Sequence, residues 1–558
     1  MDNRRLILVF IFSFCLVMLW DAWQKYSHPQ PPVAATTGTP AATAPQATTA
    51  SPASASAVPQ SGAIGASKAE TISIKTDRFI AEVSTQGGDL VGLELSGYKS
   101  ATDKSKNFSL FGPKHQYAAQ SGLMGDGLPN HKTVFTAVAG PRELTGDAKS
   151  IQLRLEAPVV DGVKVVKIFT FNRDSYLIDV TYEIDNGSGK ALSPSAYYQL
   201  QRDEQSPEGE ARSVSTFTGP AVYTAQNHYQ KVDFSDIEKG KAKFNAKADN
   251  GWLAMVQHYF VSAWVPPEKL EREFYMRRVD GANPVAQVGV IIPVAPVAPG
   301  SKVSTAVSLF AGPQIQSELS QLAKPVADGG IGAENLVKVV DYGWLDIIAE
   351  PIFWCLQAIH KLVGNWGWAI ILLTVCIKAL FFPLSAASYK SMAKMKAIAP
   401  RMTALRERCG DDKQKLNLEM MNLYKTEKIN PLGGCLPIVV QIPVFLALYW
   451  TLLGAVEMRD APWMFWIHDL SSQDPYYVLP LIMMATMFIQ TKLNPTPPDP
   501  IQAKMTMFMP LIFGGMFLFF PSGLVLYWVV NNVLSIAQQW QITRMFQNGG
   551  KAANDAKA

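Results

Sequence analysis

The rhythm of hydrophobic and polar positions changes along the chain, and each rhythm predicts a different element. An apolar run, residues 6–20, follows Arg4 and Arg5 and ends beside Trp20 and Trp23. Residues 27–68 then hold Pro, Ala, Thr, Ser and Gly with almost no large apolar side chain. Such a stretch cannot bury a core and reads as a disordered linker. From about residue 70 apolar and polar positions alternate. Ile72 with Ile74, then residues 79–83, 90–95, 151–155, 163–171, 176–184, 251–265, 285–292 and 304–311, read as short strands. Separators such as Gln86-Gly87-Gly88 and Asp185-Asn186-Gly187 supply the turns. Many short strands with no helices between them predict a β-sandwich.

Past residue 320 the period becomes helical. Residues 344–354 are amphipathic and rich in aromatics, as in a helix lying in a membrane interface. A helix packed under the β-domain would share that pattern. Residues 366–384, WGWAIILLTVCIKALFFPL, are apolar enough to cross a bilayer. Next comes a polar interlude. Met392, Met395, Ile398, Met402 and Leu405 mark one helical face, Cys409-Gly410 breaks it, and Asp411-Asp412 can cap a second helix. Leu416, Met420, Leu423 and Tyr424 mark the face of that second helix, giving a helical hairpin outside the membrane. Four more apolar segments follow, at 432–456, 476–490, 505–520 and 524–540.

Charge turns these segments into a topology. A hydrophobic fraction of 48% beside a charged fraction of 17% suits a large soluble part fused to a membrane part. The net charge of +4 is too small to argue for nucleic acid. Residues 390–428 carry ten Lys/Arg against five Asp/Glu, which places the hairpin in the cytoplasm. The loop with Glu457, Asp460, Asp469 and Asp474 against Arg459 belongs outside, and the tail with Arg544, Lys551 and Lys557 inside. The first apolar run lacks a small-x-small cleavage site, so it reads as a retained signal anchor. Six spans with both termini in the cytoplasm satisfy every loop. The five cysteines, Cys15, Cys355, Cys376, Cys409 and Cys435, leave residues 24–340 with none. A periplasmic domain there must hold by core burial alone.

The candidate chemistry is a polar stripe in apolar surroundings. Lys378 lies well inside the 366–384 run, with Thr374 one turn before it. A cation at the centre of a lipid-facing helix costs roughly 2.5–3.5 kcal/mol on insertion scales, so it should face protein or water. Snorkelling to the cytoplasmic surface is the plainer reading. The last apolar segment carries Tyr527, Trp528, Asn531, Asn532, Ser535, Gln538 and Gln539, and the 432–456 segment adds Gln441. These groups either satisfy one another as interhelical glue or line a hydrated cavity. No intramembrane carboxylate, Walker motif, nucleophile–base motif or metal-ligand spacing accompanies them, so neither a chemical enzyme nor a cofactor is expected. Two other classes stay open: a transporter of a polar small molecule, and an envelope enzyme with a sugar-binding β-domain.

Several long stretches taken in order resemble one family. They are NWGWAIILLT (365–374), SYKSMAKMKAIAP (388–400), RERCGDDKQK (406–415), NPLGGCLPIVVQIPVFLALYW (430–450), WIHDLSSQDPYYVLP (466–480), FPSGLVLYWVVNN (520–532) and, in the β-rich part, GWLAMVQHYFVSAWVP (251–266). Together they resemble the YidC-type membrane protein insertases of Gram-negative bacteria, within the wider Oxa family. The resemblance implies a polytopic α-helical inner-membrane protein with a periplasmic all-β supersandwich domain. Residues 1–26 would be the signal anchor, 27–68 the linker, 69–340 the supersandwich and 341–365 the interfacial helix. Residues 366–540 would form a five-helix core around a hydrophilic groove, with the hairpin at 386–430, and 541–558 a short basic tail. It implies that Lys378 stands at the groove's basic position, where many members carry arginine; lysine keeps the charge and loses the bidentate fork. Thr374, Gln441, Tyr527, Trp528, Asn531, Asn532 and Ser535 would line the groove. Met392, Met395, Arg406, Arg408, Lys413 and Lys415 on the hairpin would meet partners. Those implied are nascent membrane proteins, the Sec translocon, the ribosome and signal recognition system, and membrane lipids.

Overall fold

The computed structural model describes residues 58–59, 69–207, 216–281, 283–410, 412–427, 436–494 and 500–555. The expected signal anchor, almost all of the linker and the end of the tail lie outside these residues. The described part has a β-rich portion followed by a helical portion.

The β-rich portion is two nine-stranded sheets whose strands pair antiparallel. The main path of the first sheet runs Thr71–Lys75, Phe79–Ser84, Leu90–Lys99, Ala118–Met124, Ser195–Arg202, Val285–Pro293, Arg272–Val279 and Lys247–Ala248. The second runs His228–Lys231, Gly219–Thr224, Trp252–Gln257, Phe260–Val265, Lys302–Pro313, Leu177–Asn186, Val163–Asn172, Ser150–Glu156 and Thr136–Ala137. Period-two burial produces these strands: Thr71–Lys75 alternates exposed and buried, and its buried Ile72 and Ile74 enter the core. Alternation also hid strands. Ala118–Met124 and Gly219–Thr224 are buried on both faces, so neither shows an amphipathic signal. The stretch 251–265, read as one strand, is a hairpin of Trp252–Gln257 and Phe260–Val265 turned at His258-Tyr259.

Between the sheets aromatic rings interlock. Tyr198 of the first sheet meets Trp264 of the second with centroids 5.0 Å apart, and the Trp264 indole donates to the Gln199 carbonyl at 3.2 Å. On the opposite face of the first sheet, Gly289 lets the Tyr275 ring lie flat across the neighbouring strand. A Cβ at Gly289 would sit 2.4 Å from that ring. Gly289→Ala is therefore expected to lower β-domain stability by about 2 kcal/mol, the usual cost of overpacking. Thermal unfolding of the purified chain measures it.

The helical portion contains α1 (Asp346–Val363), α2 (Trp366–Leu380), α3 (Phe382–Cys409), α4 (Lys413–Thr426), α5 (Leu436–Gly454), α6 (Val478–Leu493), α7 (Pro500–Phe517) and α8 (Ser522–Asp555). The Asn365 side chain caps α2 by accepting the Trp368 amide, and Asp412 caps α4 by accepting that of Lys415. Residues 366–384 are not one helix. The chain breaks at Phe381 and α3 leaves at 67°, because Pro383, in the first turn of α3, has no N–H to continue the ladder of α2. Among the described residues no single helix is long and apolar enough to cross a membrane. The bent pair α2–α3 meets that test jointly, and shorter apolar helices occupy 440–454, 478–493 and 503–517. On α1, Ala349, Phe353 and Leu356 are buried while Ile347, Trp354 and Leu362 are exposed.

The acidic loop joins the two portions. Lys104 pairs with Asp460 at 2.7 Å, and Arg459 donates to the Lys99 carbonyl at 2.7 Å while lying over Phe108 and Phe260. The His258 Nε2–H donates to the Leu453 carbonyl at 2.8 Å. Asp474 accepts the Leu479 amide at the start of α6 and the Trp466 indole, so its carboxylate organises the loop locally. A cavity of about 440 Å³ lies at this junction.

Candidate functional site

Lys378 sits in the last turn of α2 and is 7% exposed. Its ammonium donates to the Ser535 hydroxyl on α8 at 2.7 Å. Ser535 in turn donates to the Asn531 carbonyl one turn earlier at 2.7 Å. From α5, the Gln441 amide donates to the Asn531 side-chain oxygen at 2.7 Å. Thus Lys378, Gln441, Asn531 and Ser535, from three helices, form one buried polar cluster. The helical period explains the meeting: Asn531 and Ser535 are four apart and share a face of α8.

A small cleft of about 20 Å³, room for a water or so, opens beside the cluster. Lys378, Ser385, Gln441 and Asn531 supply its polar lining, and Ile377, Phe381, Leu384, Val440 and Val444 its apolar wall. Ser385 was not visible to sequence reasoning, because the turn at Phe381 that brings it round is a tertiary feature. Among the described residues no carboxylate pairs with Lys378; its neighbours are neutral hydroxyls and amides. The arrangement offers fixed positive charge and adaptable hydrogen bonding beside apolar surface.

Other candidates lie elsewhere. Thr374 is fully buried, and its hydroxyl donates to the Ile370 carbonyl of its own helix at 2.7 Å. It is helix interior, closed by packing. Asn532, about 100° round α8 from Asn531, faces α6 and donates to Thr486 at 3.2 Å. Gln539 continues that line, accepting from Gln490 at 3.5 Å and donating to Asn494 at 3.1 Å. So α8 carries two polar faces, one toward Lys378 and one forming amide glue to α6. Thr486 and Gln490 sit four apart on α6, a spacing that could have flagged them. Tyr527 is buried and stacks on Phe445 at 6.2 Å, and its hydroxyl reaches the cluster through a side-chain hydrogen bond with Gln441, while Trp528 meets Phe445 edge-on at 4.5 Å and Phe517 at 5.2 Å. The pair is first an aromatic packing unit.

On the hairpin, Arg406, Arg408 and Lys415 are exposed, whereas Met392 and Met395 are half-buried. Lys413 opens α4. The methionine face is partly used internally: Met402 Sδ lies 3.9 Å from the Tyr424 hydroxyl and Ile398 is buried. Cys355, Cys376 and Cys409 are free thiols.

Residues 71–355 match the family model for the YidC periplasmic domain, and residues 358–549 that for the 60Kd inner membrane protein. The chain is 63% identical over 558 residues to the membrane protein insertase YidC of Dechloromonas aromatica (strain RCB), covering 100% of both chains. To the membrane protein insertase YidC of Aromatoleum aromaticum it is 57% identical over 562 residues, again covering 100% of each. A solved structure of an active YidC insertase with its first transmembrane domain resolved is 17% identical, with a TM-score of 0.39, covering 86% of this chain and 93% of that one. From the two family models and the full-length identity of these relatives, the chain belongs to the YidC family of membrane protein insertases.

Proposed function

We propose that this protein inserts nascent inner-membrane proteins and helps them fold, with the Lys378 cluster as the polar surface that receives a client's hydrophilic segment. The observation that carries the reading is a single cation on an apolar helix, buried against Ser535 beside Gln441 and Asn531. A polar or acidic segment entering such a site exchanges water for hydroxyls, amides and one ammonium. Burial of the client's roughly 20 apolar residues in lipid then drives its release. No covalent step is needed.

The topology we propose has six spans with both termini in the cytoplasm, five of them surrounding the groove. The β-rich portion contacts the acidic loop through Lys104 and Arg459, which supports placing both on the periplasmic side. The basic hairpin would then lie in the cytoplasm, with Arg406, Arg408 and Lys415 exposed toward the ribosome, the signal recognition system or the Sec translocon. Helices α2 and α6, of 15 and 16 residues, rise only about 22–24 Å, short of the ~30 Å hydrocarbon core. The bilayer beside them should thin, shortening the path of a client's polar segment.

Photocrosslinking tests this reading. A photoreactive residue at Lys378, Ser385 or Gln441 should capture a stalled nascent membrane protein, and one at the exposed Ile512 of α7 should not. Equal capture at all four positions, or none at the first three, would refute the groove. Saturable flux of a small solute through purified protein, with no capture, would instead favour transport.

A further inference from the structure

Val58 and Pro59 fall in the stretch whose composition reads as a linker, yet Val58 is only 2% exposed. It packs with Met124, Tyr197, Tyr275 and Ile291 on the face of the first sheet turned away from the second. Glycines make that face receptive. Gly122 and Gly289 lie opposite Tyr197 and Tyr275 on neighbouring strands, so both rings lie flat as a floor.

Beside this floor Arg277 holds the main chain. Its Nη1 donates to the Val58 carbonyl and its Nη2 to the Pro59 carbonyl, each at 2.9 Å. The guanidinium lies over the Tyr275 ring, 5.6 Å from the centroid, and its Nε donates to Gln287 Oε1 at 2.9 Å. Gln287 passes the order on, donating to Gln201 Oε1 at 2.9 Å. These three residues are register partners on adjacent strands, and both glutamines are fully buried. The fork is therefore fixed before anything binds it.

Such a site reads a particular kind of ligand. Two donors in one plane, spent on successive carbonyls, recognise backbone rather than a side chain. Proline fixes its own φ and restricts the residue before it to extended geometry, so an X-Pro pair loses little freedom on binding. Proline also has no N–H to strand against the sheet. The apolar floor asks for a small branched side chain at X. Within residues 27–68 Val-Pro occurs once, at this place.

We propose that the outer face of the first sheet is a binding site for an extended apolar–proline dipeptide, filled in this chain by its own Val58–Pro59. The strap moves the point where the linker leaves the β-rich portion from the first strand, which opens at Thr71, back to Val58.

Cysteine protection in the full-length chain tests it. Val58→Cys should react with a maleimide about tenfold or more slowly than Ala47→Cys in the same linker, read by mass spectrometry of each peptide. Adding Arg277→Ala, or Arg277→Lys, which keeps charge and loses the fork, should bring Val58→Cys to the control rate without moving Ala47→Cys. A synthetic peptide of residues 54–63 in excess should also speed the reaction at Val58→Cys, and its reversed sequence should not. That arm alters nothing in the sheet, so it holds even where Arg277→Ala disturbs folding. Equal rates at the two cysteines, or no response to the peptide, would overturn the strap.

Discussion

Lys378→Glu is expected to abolish insertion of clients whose translocated segment is acidic, while Lys378→Arg keeps it and Lys378→Leu falls between. A client carboxylate ~6 Å from the ammonium, at an effective dielectric of about 20, gains about 3 kcal/mol, or roughly a hundredfold in occupancy. Leucine removes that term and the bond to Ser535, which keeps the Asn531 carbonyl as its acceptor. Glutamate reverses it and buries a carboxylate among Ser535, Gln441 and Asn531 with no neighbouring cation, which adds a folding cost. Arginine restores charge and adds donors that can reach Asn531 or Ser535. Protease protection of clients synthesised in the presence of proteoliposomes measures the series. A paired client with a neutral translocated segment should lose much less with Lys378→Leu. If acidic and neutral clients fall equally, Lys378 acts through packing and the electrostatic role is wrong.

A second large effect is expected at the junction: Glu457→Gln should stabilise the protein at pH 8 by about 3 kcal/mol and change little at pH 4. Glu457 lies in the short turn after α5, next to the β-rich portion. Its two carboxylate oxygens are buried, with only the backbone amides of Glu457 itself and Gln316 close enough to offset that burial. Burial pushes its pKa up to about 7, with Glu318 adding repulsion. Between the ordinary carboxylate range and about 7 the folded chain holds a proton that the unfolded chain has released. Stability therefore falls as pH rises through that window, and glutamine removes the fall. His258 across the same junction acts oppositely. Burial lowers its pKa to about 4 while it donates to the Leu453 carbonyl, so its contribution is lost as pH drops from about 6.5 toward 4. Thermal unfolding of the solubilised protein at pH 4, 6 and 8 separates the two. An equal gain from Glu457→Gln at pH 4 and pH 8 would show that relief of burial, and not of charge, is responsible.

Much of this protein was written locally. Alternation around Ile72 and Ile74 and along 178–184 marks strands because one side of each must be dry. The run 366–384 marks an apolar helix as far as Leu380, and Asn365 and Asp412 cap helices because their side chains accept nearby amides. The conspicuous Lys378 and the amides of the last helix were legible for the same reason: a polar group in apolar sequence must find a partner. What stayed hidden depends on which groups become neighbours. The sequence offered both Asn531 and Asn532 to the groove, yet the placement of α2, α5 and α6 around α8 sends one to Gln441 and the other to Thr486. Thr374 shares a helix face with Lys378 and is nevertheless sealed by packing. Val58 in a linker-like composition is held because Arg277, more than two hundred residues later, is aimed at its carbonyl. Sequence by itself determined which segments must leave water and which polar groups would be costly to strand, since those are properties of residues and their spacing. Tertiary structure decided which stranded group meets which partner, since a hydrogen bond in a dry interior is settled by the one orientation that packing allows.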